Sequence, residues 1–118
     1  MKRRRSERKN FDCNAKIFIS RESKPLNIRI KDISLSGIRV IIAGRLIKKD
    51  TPVNIILNIR DREISCKGKI AWVLTISFGV GNLPLFDAGI EFKDIDKDDF
   101  NFFKDFVTNI KENGQNIQ

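Results

Sequence analysis

Two clusters in the chain have the chemistry to hold an anionic ligand that carries bases. The first is Arg4-Arg5-Ser6-Glu7-Arg8, set in a run where Lys2, Arg3, Arg4, Arg5, Arg8 and Lys9 face a single Glu7. A guanidinium donates two parallel hydrogen bonds from a planar fork, which suits a phosphate or the O6/N7 edge of guanine. The second is Asp32-Ile33-Ser34-Leu35-Ser36-Gly37. A carboxylate can accept from guanine N1–H and N2–H together, a hydroxyl can bond a base edge or a phosphate, and a glycine lets a ligand approach the backbone. Each cluster alone has a plainer reading. The first is then a solvated polycationic tail. The second is then a strand-to-strand turn held by side-chain-to-backbone bonds, the commonest use of Asp and Ser at such a place.

The corner lies between two alternating stretches, Leu26, Ile28, Ile30 and Ile38, Val40, Ile42. Continuing the first parity would aim Asp32 at the apolar face, where a bare carboxylate is expensive. The chain must therefore turn there, or the charge must be paired. Four further alternations predict strands: one from Cys13 to Ser20, one through Val53, Ile55, Leu57 and Ile59, a long one from Ile64 to Ile76, and one through Phe86, Ala88, Ile90 and Phe92. The links are Arg21–Pro25, Gly44–Pro52, a tight turn at Asp61-Arg62, and the Gly- and Pro-bearing reversal Phe78–Pro84. After Asp94 the period changes. Phe100, Phe103, Phe106, Val107 and Ile110 share one helical face, with Asp96 as N-cap, an Ile95–Phe100 staple and a stop at Asn113-Gly114. The expected fold is mainly β: a six-stranded antiparallel barrel with one C-terminal helix, as a single domain over 1–112. It divides into a flexible basic arm (1–10), a barrel (11–94), a helix (95–112) and a tail (113–118).

The 118 residues allow one real core and no second domain. With 23 basic against 15 acidic residues the net charge is +8, which points to an anionic partner. The absence of histidine excludes triad chemistry, makes a zinc site improbable, and leaves no nucleophile–base pair from which to assemble an enzyme. Cys13 and Cys66 fall on core parity and read as reduced apolar residues. No long apolar run follows the basic start, so neither a signal peptide nor a membrane span is expected, and the cytoplasm is the default compartment. Trp72 shares the core parity of the long strand and reads first as a core residue, second as a stacking platform for a base. Arg39 has outward parity near the corner, where it can touch a phosphate or stand solvated.

Taken together and in this order, Arg-x-x-x-Arg before the first strand and Asp-x-Ser-x-x-Gly between strands two and three resemble the two motifs of the PilZ domain family. Arg4-Arg5-Ser6-Glu7-Arg8 matches the first and Asp32–Gly37 the second, with no departure. Ala88-Gly89-Ile90-Glu91-Phe92 is similar to the family's usual final strand. The resemblance implies a barrel with a C-terminal helix and a receptor for cyclic di-GMP. Arg4 and Arg8 would grip phosphate and the guanine Hoogsteen edge. Asp32 and Ser34 would read the base, and Gly37 would leave it room. Arg5, Ser36, Arg39 and Trp72 are auxiliary candidates, and Arg3 is the position that in the family goes with a stacked ligand dimer. No other cofactor is implied. The expected mechanism is an arm that orders over the ligand and presents a new surface to a downstream protein. Two rivals are a PilZ-like adaptor that ignores the nucleotide and a basic nucleic-acid-binding barrel. The second is disfavoured because most strand aromatics have core parity and tyrosine is absent.

Overall fold

The computed structural model describes residues 8–19, 21–22, 24–77 and 83–110. Six antiparallel strands are followed by one helix: β1 (Lys9–Ile19), β2 (Leu26–Ile33), β3 (Gly37–Ala43), β4 (Pro52–Ile59), β5 (Arg62–Ser77), β6 (Leu85–Ile95) and α1 (Lys97–Thr108). The strands close into a barrel in the order β1-β2-β3-β6-β5-β4. Alternation does what it should: Ile17, Ile30, Ile55, Ile64, Ile70 and Ile90 fill a core of β-branched side chains.

The strand ends differ from the sequence expectation where the ladder carries an extra residue. β1 begins at Lys9 rather than Cys13, because a register shift between Asn10 and Cys13 lets the chain go on pairing with β2. Lys9 and Asn10 thus belong to the barrel. β2 runs two residues beyond Lys31, past a second shift between Ile30 and Asp32. That shift resolves the conflict at Asp32. It turns the carboxylate off the core parity and gives the buried place to Ile33. The β4–β5 turn is Arg60-Asp61, one residue earlier than expected, with positive φ at both (50° and 67°) as a two-residue hairpin that follows strand twist requires.

The β5–β6 ladder shifts three times, between Lys67 and Gly68, between Ile70 and Trp72, and between Thr75 and Ser77, and the middle one decides where Trp72 points. Before it, Ile64, Cys66 and Ile70 point inward. After it, the same sequence parity points outward, leaving Trp72 40% and Leu74 63% exposed, and the last shift leaves Ile76 51% exposed. The reading of Trp72 as a core residue is therefore corrected: one inserted residue moves it to the outer face.

Helix α1 starts at the expected cap. The Asp96 carboxylate accepts from the backbone N–H of Asp98 (3.0 Å) and Asp99 (3.4 Å). Phe103, Phe106 and Val107 seal one end of the barrel, and Phe100 is half-buried. Phe103 packs edge-on against Phe92 and Phe106 edge-on against Phe11. The helix is capped at Asn109, so it ends before the expected residue 112, and the Asn113-Gly114 stop lies outside the described residues. Its last turn holds no basic residue. The positive charge comes instead from β1, where Lys9 Nζ donates to the carbonyls of Ile110 (3.2 Å) and Thr108 (3.5 Å).

Candidate functional site

The turn from β2 to β3 is Ser34-Leu35-Ser36-Gly37, closed by the Ser34 N–H donating to the Gly37 carbonyl at 2.9 Å. Ser34 is the one fully buried polar residue among those described. Its hydroxyl accepts from the Ser36 N–H (3.2 Å), lies 3.3 Å from the Gly37 carbonyl and 3.2 Å from the Ser36 hydroxyl. A buried hydroxyl is tolerable when satisfied in this way. The Ser36 carbonyl accepts from the Phe92 N–H (2.9 Å), which ties the corner to β6. Gly37 is required by packing: a Cβ there would run into the carbonyl oxygen of Ile90 on the neighbouring strand.

Asp32 stands beside this corner with its side chain 14% exposed. Arg8, at the mouth of β1, brings Nε to 2.7 Å from Oδ1 of Asp32 and Nη1 to 3.4 Å from the Ser34 hydroxyl. The other carboxylate oxygen faces Arg39, whose Nη1 is 3.7 Å away. Arg39 is itself committed elsewhere. Its fork makes two parallel bonds to Asp87 on β6, at 2.9 and 3.0 Å, and this carboxylate holds the guanidinium pKa above its ordinary value. Sequence reasoning thus placed Arg39 outward correctly but missed its partner. Asp87 is forty-eight residues away in sequence, and only the β3–β6 pairing brings the two together.

A cavity of about 290 Å³ opens next to the corner, lined by Arg8, Ser36, Gly37, Trp72, Gly89 and Glu91 among others. Trp72 forms one wall. Its indole lies across Gly89, where any Cβ would collide with the ring nitrogen. Gly89 and Glu91 were missed as site residues, although both sit in the final-strand pattern. The structure therefore gathers Arg8, Asp32, Ser34, Ser36, Gly37, Arg39 and Trp72 at one end of the β2–β3–β6–β5 wall. Arg3, Arg4 and Arg5 lie outside the described residues. Among the described residues no group of three or more histidine, cysteine or acidic side chains is placed to hold a metal ion, and no helix is long and apolar enough to cross a membrane. Cys13 and Cys66 are free thiols. Burial raises both, Cys66 to about 12.

Chemically, the site offers a carboxylate already bonded to one arginine, a buried hydroxyl beside it, and a flat aromatic wall over a backbone floor. It has hydrogen-bond acceptors for a base edge and donors for an anion within one small volume.

Several solved structures share the fold. The Bacillus subtilis inhibitor of motility, MotI/DgrA, superposes with a TM-score of 0.74 at 15% identity, over 92% of this chain and 51% of that one. The PilZ domain of YcgR from Escherichia coli, solved with c-di-GMP, gives 0.72 at 12% identity, over 91% and 90%. The K. pneumonia MrkH–c-di-GMP complex gives 0.72 at 17% identity, over 92% and 52%. The chain thus spans about half the length of MotI/DgrA and MrkH and nearly all of the YcgR domain. No curated protein matches the sequence significantly. The family model for the PilZ domain matches residues 2–109, almost the whole chain, and on that match the chain belongs to the PilZ domain family.

Proposed function

We propose that this chain is a noncatalytic receptor for cyclic di-GMP. The observation that carries the proposal is the convergence of Arg8, Asp32 and Ser34 beside the cavity walled by Trp72. In the proposed complex Asp32 exchanges Arg8 for guanine N1–H and N2–H, and the freed arginine turns to phosphate or to the O6/N7 edge. Ser34 supports the same base. About 290 Å³ is near the lower end of ordinary ligand pockets, roughly 300–1,000 Å³, and suits one base with the rest of the dinucleotide on the barrel wall. Arg4 completes the grip together with Arg8. Arg3 and Arg5 add positive charge, and Arg3 favours a second, stacked ligand. YcgR and MrkH were solved with c-di-GMP, and their shared fold supports the reading. The output is a changed surface read by a downstream protein.

Titration calorimetry with cyclic di-GMP tests the proposal. The expected result is saturable binding with a stoichiometry of two, which persists at elevated salt where single-stranded DNA no longer binds. A stoichiometry of one removes the role of Arg3. No heat and no saturation with cyclic di-GMP, with the barrel folded, overturns the proposal in favour of a nucleotide-independent adaptor. Binding of DNA in preference to the dinucleotide overturns it in favour of a nucleic-acid-binding barrel.

A further inference from the structure

The last part of β5 is a sheet edge. Its pairing with β4 ends at Lys69, opposite Pro52. One more step is taken by the preceding loop, where Asp50 N–H donates to the Ile70 carbonyl (2.7 Å) and the Ile70 N–H donates to the Thr51 carbonyl (3.0 Å). Beyond Ile70 the strand pairs with β6 alone, and among the described residues no strand lies on its other side. Proteins commonly guard such an edge with lysine, proline or an inward-pointing charge. Here the run is Ala71-Trp72-Val73-Leu74-Thr75-Ile76-Ser77, with no charge and no proline, in a chain that is 32% charged.

The outer face beside this edge is apolar as well. Trp72, Leu74 and Ile76 are exposed. Leu74 stands opposite Asp87, which stands opposite Ile41, and Leu85 stands opposite Ala43. Leu83, 65% exposed, leans on Gly44. The charges within this area, Asp87 and Arg39, neutralise each other. A contiguous exposed apolar surface joined to an open strand edge marks a place where another strand docks.

We infer that the occupant is a second copy of this chain, added edge to edge and antiparallel about a two-fold axis at Leu74. In that register Leu74 meets its own copy, Val73 meets Thr75, and Trp72 meets Ile76. Every residue of the uncharged run then faces another residue of the same run. Self-complementarity of this kind is what an isologous contact requires. Charge also selects the partner. A chain of net charge +8 repels its copy over most of its surface, whereas this strip brings no like charges into register. An acidic partner, which the rest of the surface would attract, finds no cation within the run Ala71–Ser77 itself. Pairing makes one continuous sheet, β6-β5 of one copy followed by β5-β6 of the other. The inference shares Trp72 with the ligand reading, and association of the ligand-free chain tests it apart from that reading.

The test is the mass of the full chain by sedimentation, from low micromolar to several hundred micromolar. The expected outcome is a rise toward twice the 13.6 kDa chain mass, abolished by Leu74→Lys, with the far-ultraviolet spectrum unchanged and the melting temperature unchanged at concentrations where the wild type is monomeric. Leu74→Cys gives a second readout. Residues directly opposite across an antiparallel pair have Cα atoms about 4.5–5.5 Å apart, within disulfide reach. Mild oxidation should therefore give a covalent dimer at position 74, absent from the wild-type chain with Cys13 and Cys66 and absent from Leu46→Cys, which is exposed but off the strand. A monomer at every concentration, a dimer that Leu74→Lys leaves intact, or equal cross-linking at positions 46 and 74 would each overturn the inference.

Discussion

Replacing Asp32 with alanine separates a base-reading carboxylate from one that merely holds the corner. In the free protein its Oδ1 is bonded to Arg8 at 2.7 Å, with the two side chains 14% and 34% exposed. Asp32 is mostly buried, but Arg8 is exposed enough to be rehydrated once its partner is gone, so losing the pair costs only about 1 kcal/mol. Removing it should therefore lower the melting temperature by only a few degrees, because Arg39 keeps its two bonds to Asp87. For the ligand the balance differs. Guanine offers N1–H and N2–H, and a bidentate base contact discriminates by about 1–3 kcal/mol. To make it, Asp32 must give up Arg8, which takes back up to about 1 kcal/mol. Adenine has an acceptor at N1 and no amino group at position 2, so it leaves the ion pair undisturbed and neither gains nor loses by it. With that whole amount returned, the net preference traceable to Asp32 is about 0–2 kcal/mol, up to roughly thirtyfold in affinity. The assay is titration of cyclic di-GMP and cyclic di-AMP into wild type and Asp32→Ala at one salt concentration, with melting curves alongside. The expected result is a loss of that size for the guanine ligand, little change for the adenine ligand, and a small shift in melting. Equal losses for both ligands would refute the base-reading role.

Gly37→Ala should destabilise the fold by about 1–3 kcal/mol in urea, since the new methyl meets the Ile90 carbonyl and β3 must move from β6; a change of a few tenths would mean that the strands adjust freely. Trp72→Ala should lower stability by less than about 3 kcal/mol, below the range for core tryptophans, because the residue is 40% exposed. As Trp72 is the sole tryptophan, its fluorescence should also shift when cyclic di-GMP is added, and an unchanged spectrum at saturation would place the ligand elsewhere. Cys66 sets an alkaline limit. Burial first, and the Asp99 charge second, push its thiol from 9.0 to about 12. Between those values the unfolded chain releases a proton that the folded chain keeps, so stability is intact below pH 9 and falls as pH rises, by at most about 1.4 kcal/mol per pH unit. Denaturant melts across that window should show a shallower fall for Cys66→Ala, and identical slopes would assign the loss to other groups.

The barrel was legible because alternation is a local signal that six strands repeat in turn, and the helix because its period and its Asp96 cap are also local. What escaped was the inserted residue. Nothing in Ile70-Ala71-Trp72 announces that the ladder skips one position, yet that skip sends Trp72 and Leu74 from the predicted core to the surface, and a further skip between Thr75 and Ser77 leaves Ile76 as an extra, exposed residue. The skip beyond Ile30 worked in the other direction. Parity flagged Asp32 as a conflict, and the bulge is how the chain resolves it. Within the site, Asp32, Ser34 and Gly37 could be found because the chain brings them together itself. Asp87, Gly89 and Glu91 reach the corner only through β3–β6 pairing, and a single sequence does not record which strands become neighbours.

Arg8 and Lys9 are consecutive, and they hold different parts of the molecule. Arg8 reaches the carboxylate of Asp32, while Lys9 neutralises the exposed carbonyls at the end of α1. One peptide unit therefore anchors both, and the mouth of β1 links the corner to the helix. A ligand that takes Asp32 from Arg8 would free one end of that link, and the amides in the last turn of α1 should then exchange with deuterium at a different rate. Lys9→Ala would leave the corner intact and make those amides indifferent to whether it is filled.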